Sequence, residues 1–400
     1  MGENMDAENV GQKRGSIAVS GVRSKGKDIR GTGRAGFFRF VRIYARKNFL
    51  RLAYWLFSHV IRKDSVCFLC TDISELFNTV EYVYKKLAVE KKIRIHKEDA
   101  LLKKLFFLAR AKVLLIDQAD PILSILHIHR ETVCVQCWHS SGLYKKVGYD
   151  AVRNGYALKD EENRIRRIHG NINYFIISDE RLVPTYARAF RLPEEKVLPL
   201  GLCRTDLLFK VSPDSCRSSL GRKYGLDPGK KYLLYAPTFR GGGQKRHHHY
   251  SLDIAELRSS LDEQWNFLLR RHPSVSSDVP EGWVDVSDAQ QEVCLAAADV
   301  MVTDYSSILF DYSYFHRPIY LIVSDLEEYL SEERGLYISP EDLGVSGVCR
   351  STGEIIAHLK EDAGKPGSIN IWERFMNACD GHATDRVCQF IISILNHKHP

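Results

Sequence analysis

Between residues 65 and 323, short apolar runs alternate with helical patterns, and they do so in two successive series. The first series has runs at 66–69, 113–116, 133–135, 174–177 and 197–200, with helical patterns over 75–90 and 180–190. The second has runs at 232–235, 267–269, 284–286, 300–302 and 319–323, with helical patterns over 252–262, 289–298 and 306–315. Unbroken apolar runs of this length are typical of parallel strands covered on both faces. Their alternation with helices calls for a parallel sheet with helices on either side. The fold expected is therefore α/β, with two Rossmann-like domains facing a central cleft. Ligands then bind at the carboxyl ends of the strands. The junction falls near 201–215, which divides the body into a domain over 64–205 and a domain over 206–400.

The charge is unevenly placed. Residues 1–63 carry 14 Lys and Arg against 4 Asp and Glu, while the rest of the chain has a net charge of −3. A nucleic-acid enzyme carries its positive charge on the folded surface, so a nucleic-acid partner is not expected. Residues 1–35, rich in Gly, Ser, Lys and Arg, read as a disordered tail. The start lacks the apolar stretch of a secretory leader. Residues 36–63 read as a basic amphipathic helix. Phe37, Val41, Tyr44, Leu52 and Trp55 share one side of the wheel and Arg39, Arg42 and Arg46 the other. That pattern suits a helix lying in an anionic membrane surface, and nothing approaches the ~20 apolar residues needed to span one. Two CxxC pairs, Cys67/Cys70 and Cys134/Cys137, fall inside strand-like runs, whereas zinc knuckles need turns. They read as reduced thiols of a cytosolic protein.

Five segments put chemistry at the ends of strands. In residues 299–318, DVMVTDYSSILFDYSYFHRP, the run 300–302 stops at Thr303, and Ser306 and Ser307 stand where a helix begins. Free backbone N–H groups and the macrodipole at a helix start favour a phosphate, and Asp311, one turn on, is placed to accept from sugar hydroxyls. The alternative is a plain helix cap with a solvated Asp311. In residues 133–148 a strand leads into His139, a small-residue turn, and then Lys145 and Lys146. A histidine there suits a general base, or simply caps the strand. A third strand ends in Arg270, Arg271 and His272, and a fourth in Thr238, Arg240 and three glycines. The fifth segment, 201–206, carries Arg204 at the domain junction. Two histidines, several cations and three hydroxyls on one ligand edge suit transfer from a diphosphate donor. His247, His248 and His249, beside Lys245 and Arg246, lack the carboxylates of a typical metal site and read as a mobile basic loop.

The set WHSSGLYKKVG, GLCRTD, YAPTFR, RRHP, TDYSSILFDY, DLEEY and the later RG and CDGHATDR resembles the CDP-glycerol glycerophosphotransferase family, the teichoic-acid primases and polymerases. The likeness runs from about residue 105 to Arg386. It implies a GT-B fold, and a peripheral enzyme on the cytoplasmic face of the cell membrane. It also implies transfer of glycerol phosphate, or a related polyol phosphate, from a CDP-alcohol to a hydroxyl of an undecaprenyl-type lipid-linked acceptor, with release of CMP. By that resemblance His139 is the base and His272 stabilises the leaving CMP. Ser306, Ser307, Asp311, Thr238, Arg240, Arg271 and Thr303 contact the donor, and Lys145, Lys146 and Arg204 contact the acceptor or a phosphate. A CDP-alcohol is the co-substrate, and no dedicated metal cage is visible. Cys203 stands where the family usually has proline, and the Gly/His loop after Arg240 is unusual for it. An ordinary GT-B glycosyltransferase using a nucleotide sugar is the alternative.

Overall fold

A computed structural model describes residues 34–70, 79–118, 120–153, 159–241, 247–261, 263–272, 275, 279–361 and 370–396. Of the tail expected over 1–35, residues 1–33 lie outside the described residues and 34–35 begin a helix; part of the Gly/His loop (242–246), Pro273 and the start of the 75–90 helix also lie outside them. Contacts divide the chain into residues 1–49 and a compact body over 50–400.

Within the body, the first sheet holds β1 (Ser65–Leu69), β2 (Lys92–Ile95), β3 (Ala111–Ile116), β4 (Val133–Cys137), β5 (Tyr174–Ile176) and β6 (Val197–Leu198). They pair in parallel in the order β2-β1-β3-β4-β5-β6. The second domain adds β7 (Lys231–Ala236), β8 (Phe239–Arg240), β9 (His247–His248), β10 (Trp265–Leu269), β11 (Val284–Asp285), β12 (Val300–Thr303), β13 (Ile319–Ile322) and β14 (Gly347–Cys349). Its sheet is also parallel, in the order β11-β10-β7-β12-β13-β14, while β8 and β9 form an antiparallel ribbon. The interior strands β1, β4, β12 and β13 are buried along their whole length, because helices cover both faces. In each sheet the order reverses once, between β1 and β3 and between β7 and β12. A crevice opens at such a reversal beyond the carboxyl ends of the strands. The second crevice is lined by the segments that follow β7 and β12, which contain Thr238 and residues 304–307.

The domain limits differ from the expected ones at both ends. An α-helix runs over Arg34–Val60, and its second half belongs to the first domain. Leu50 and Tyr54 are buried in the core with β1 and β3 residues, Tyr54 Oη accepts from His129 N at 3.1 Å, and Arg51 Nε donates to Ile125 O at 2.9 Å. At the other end, the helix Ala383–Asn396 leaves the second domain and packs on the first sheet. Val387, Cys388, Ile391 and Ile394 share a core with Val66, Phe68 and Val80. Asp206 accepts from the N–H groups of Ala383 (3.0 Å) and Thr384 (2.8 Å), capping that helix across the junction. His247 and His248, expected in a mobile loop, are instead the strand β9. The ten cysteines are buried free thiols, with the CxxC pairs in and beside β1 and β4.

Candidate functional site

The candidate base sits just past β4. His139 Nδ1 lies 2.9 Å from the carbonyl oxygen of Asp117, which follows β3. A carbonyl can only accept, so Nδ1 carries the proton and Nε2 keeps its lone pair. Burial pushes the imidazole down to about 4, helped by the charges of Arg204 and Arg334 and opposed by the Asp117 carbonyl. At neutral pH His139 is thus an unprotonated base of fixed tautomer, its ring packed against Trp138 at a centroid distance of 4.5 Å.

The segment after His139 crosses to the second domain. Lys146 N donates to Gly335 O at 3.0 Å, Tyr337 N donates to Tyr144 O at 2.8 Å, and Lys145 bridges Leu336 in antiparallel fashion. This short ribbon clamps the two domains. Gly142 adopts φ +56°, and a Cβ there would lie 2.5 Å from the ring of Phe310 in the second domain, so only glycine allows this approach. Burial brings the Lys145 ammonium down to about 8, with Arg334 and Arg240 pushing the same way and Asp304 and Glu333 opposing. The Arg334 charge therefore acts on both His139 and Lys145. Arg334 follows a helix rather than a strand, and the sequence flagged it only as part of an Arg-Gly pair.

Several residues expected to touch the donor are instead held by protein partners. Asp304 accepts from Thr238 N (2.9 Å), Thr238 Oγ1 (2.9 Å) and Arg240 Nη1 (3.0 Å). Arg240 Nε donates to Asp325 at 2.7 Å, Tyr305 Oη also donates to Asp325, and the Arg240 guanidinium lies 5.0 and 5.1 Å from the ring centres of Tyr305 and Tyr329. Thr303 Oγ1 donates to Ala236 O at 2.7 Å, tying β12 to β7. Arg271 pairs with Asp285 at 2.6 Å. Asp311, expected to be open to hydroxyls, is 1% exposed and bound to Arg204 at 2.7 Å. The five-residue helix that carries it packs against the first domain, and this turns the carboxylate inward.

Ser306 and Ser307 remain half-buried at the end of β12, ahead of the helix Ile308–Tyr312. Ser306 Oγ accepts weakly from Ile308 N at 3.4 Å. His272 is half-buried and meets Phe239 edge to face at 4.8 Å. Among the described residues, no group of three or more His, Cys, Asp or Glu side chains is arranged to hold a metal ion.

The pH behaviour follows from the histidines. His169 is buried and likewise pushed down to about 4. Both groups are neutral in the folded and unfolded chain above pH ~6.5. Between ~6.5 and about 4 the unfolded chain binds protons that the folded chain does not, so stability falls as pH drops through that window. The free enzyme's kcat/KM should keep its value well below pH 6.5, because His139 is still unprotonated there. An acid limb near 6.5 in a kcat/KM profile would contradict the low position that desolvation and the neighbouring arginines give His139.

Two parallel sheets, joined through the segment after His139 and the Arg204–Asp311 pair, form a GT-B-like fold. The TagF wall teichoic acid polymerase structure has the same fold: TM-score 0.71 at 20% identity, over 91% of this chain and 98% of that one. The model of the CDP-Glycerol:Poly(glycerophosphate) glycerophosphotransferase family matches residues 52–393. The teichoic acid ribitol-phosphate primase of Bacillus spizizenii is 30% identical over 379 residues, 87% of this chain and 96% of the relative. The teichoic acid glycerol-phosphate primase of Bacillus subtilis is 24% identical over 303 residues, 74% and 77% of the two. The chain belongs to the CDP-glycerol glycerophosphotransferase family and is a polyol-phosphate transferase.

Proposed function

We propose that this enzyme moves a polyol phosphate from a CDP-alcohol to a hydroxyl of a lipid-linked acceptor in surface-polymer synthesis, with His139 as general base. The observation that carries the reading is the unprotonated Nε2 of His139, fixed by the Asp117 carbonyl and subject to the Arg334 charge that also acts on Lys145. Nε2 takes the proton of the acceptor hydroxyl, whose oxygen attacks the polyol-bearing phosphorus. A new P–O bond forms, the bond to the α-phosphate oxygen breaks, and CMP leaves. Phosphoryl transfer of this kind needs positioning and charge neutralisation more than covalent help. Lys145 and Arg334 supply the charge, Ser306 and Ser307 hold donor phosphate oxygens at the β7/β12 crevice, and His272 faces the leaving CMP. Thr238, Arg240 and Thr303 shape that crevice from behind.

The test is CMP release from a panel of CDP-alcohols with a lipid-linked acceptor in detergent. Acceptor-dependent CMP from one member supports the reading and names the polyol. Consumption of a nucleotide sugar without CMP from any CDP-alcohol would replace it with glycosyl transfer.

The acceptor's lipid anchor motivates a peripheral site on the cytoplasmic face of the membrane. Among the described residues, no helix is long and apolar enough to cross a membrane. In the helix Arg34–Val60, however, Leu52, Trp55, Leu56 and Val60 are exposed beside the buried Leu50 and Tyr54, and Phe38, Val41, Tyr44 and Phe49 are exposed before them. Arg42, Arg46 and Lys47 add charge, worth ~1 kcal/mol each near an anionic surface. Replacing Leu52, Trp55 and Leu56 together by serine should reduce binding to phosphatidylglycerol vesicles at least ~10-fold, with the remaining affinity falling in salt. Unchanged binding would place the membrane contact elsewhere.

A further inference from the structure

We propose that Arg204 and Asp311 are a positioning pair for the His139 loop, so that Asp311 serves the reaction through Arg204 rather than by touching the donor. The proposal rests on His139 being the base.

The hydrogen bonds of Asp311 leave no room for a ligand. A carboxylate offers about four lone-pair sites. Oδ1 accepts from Ser141 Oγ (2.5 Å) and Arg204 Nη2 (3.2 Å), and Oδ2 accepts from Arg204 Nη1 (2.7 Å) and Gln291 Nε2 (2.8 Å). All four sites are taken, and the side chain is 1% exposed. A sugar or polyol hydroxyl would have to displace a donor already bound in a buried site.

The guanidinium is committed in the same way, and its commitments point at the base. Arg204 Nε donates to the backbone oxygen of His139 (3.1 Å), and Nη2 donates to Ser141 Oγ (2.5 Å). Arg204 thus grips the turn after β4 at two points two residues apart, while Asp311 grips Arg204 in bidentate fashion and Ser141 directly. The network joins the β4 turn and the junction segment to Gln291 and Asp311 of the second domain. Close packing of Gly142 on Phe310, the residue before Asp311, brings the same two segments together. His139 is consequently held twice, at its ring by the Asp117 carbonyl and at its backbone by Arg204. Its Nε2 keeps a fixed position relative to the second domain, where the donor binds in the proposed reaction. The Arg204 charge also helps keep the imidazole unprotonated.

The experiment compares Asp311→Asn, Arg204→Lys and Ser141→Ala in the full chain, measuring kcat, equilibrium CDP-alcohol affinity and the kcat/KM pH profile. Asp311→Asn keeps the shape but swaps an acceptor for a donor, and lysine cannot make the bidentate grip. We expect kcat to fall ~10- to 100-fold in both, since a small misplacement of a reacting group costs about that much. Donor affinity should stay within about threefold, and the acid limb should stay below the ordinary histidine value, because both variants keep a cation beside His139. Ser141→Ala combined with Asp311→Asn should be little worse than Asp311→Asn alone, because both act through one network. Full turnover in Asp311→Asn and Arg204→Lys would overturn the proposal, as would a tenfold or greater loss of donor affinity at unchanged kcat. If Asp311→Asn does not fold, Arg204→Lys and Ser141→Ala decide by the same criteria. His139→Ala, run alongside, separates the two readings: if it alone is inactive, the pair's role fails while the base stands, and if it is active, the base itself fails.

Discussion

His139→Ala should lose at least ~100-fold in turnover while CDP-alcohol affinity survives, the range a positioned general base contributes. The physical basis is the asymmetry of the ring. Nδ1 is occupied by the Asp117 carbonyl, and burial keeps the second nitrogen free of a proton. His139→Gln is a sharper form of the same test. Its amide can still donate to the carbonyl and fill much of the space, but it cannot accept a proton at neutral pH. Equal losses in Ala and Gln would assign the deficit to proton transfer, and recovery in Gln would assign it to packing. Turnover near the parent level in both would remove His139 from the chemistry altogether.

The second large effect is on stability. Arg240→Ala should cost about 3–5 kcal/mol, because it leaves the buried Asp304 and the half-buried Asp325 with their shared cation gone. The loss should appear as a lower urea midpoint, and it should shrink at acid pH as the orphaned carboxylates take up protons. Arg240→Lys restores the charge but not the two-sided grip and should recover only part of the loss. Should Arg240→Ala prove as stable as the parent but unable to bind a CDP-alcohol, the guanidinium would be a ligand group after all.

These two cases mark where the sequence was legible. The interior strands could be read directly, because burial on both faces leaves an unbroken apolar run such as Val300-Met301-Val302. Two of the four edge strands could not: β2 reads Lys-Ile-Arg-Ile, half-exposed, and β14 is three residues starting with glycine. Residues at strand ends were also legible as a group, since topology forces them to one edge. Their individual duties were not. A polar residue at a strand end looks the same whether it meets a ligand or a carboxylate from a distant segment. Thr238 finds Asp304 and Arg204 finds Asp311, partners 66 and 107 residues away. Periodicity carries no trace of such pairs. Arg334 escaped for the opposite reason. Gly335 beside it takes φ +72° as the chain turns to pair with Lys146, and the pair matters only through that bend.

The return of the helix Ala383–Asn396 to the first sheet has a consequence for how the protein is made. Phe68 and Val80 lack part of their apolar cover until residues 383–396 have been synthesised. Of the two sheets, the one made earlier is thus completed later, and part of its face must wait through the synthesis of the entire second one. A nascent chain stopped before residue 383 would carry a finished second sheet and an open first one. The defect would lie in the half that holds His139, far in sequence from the break.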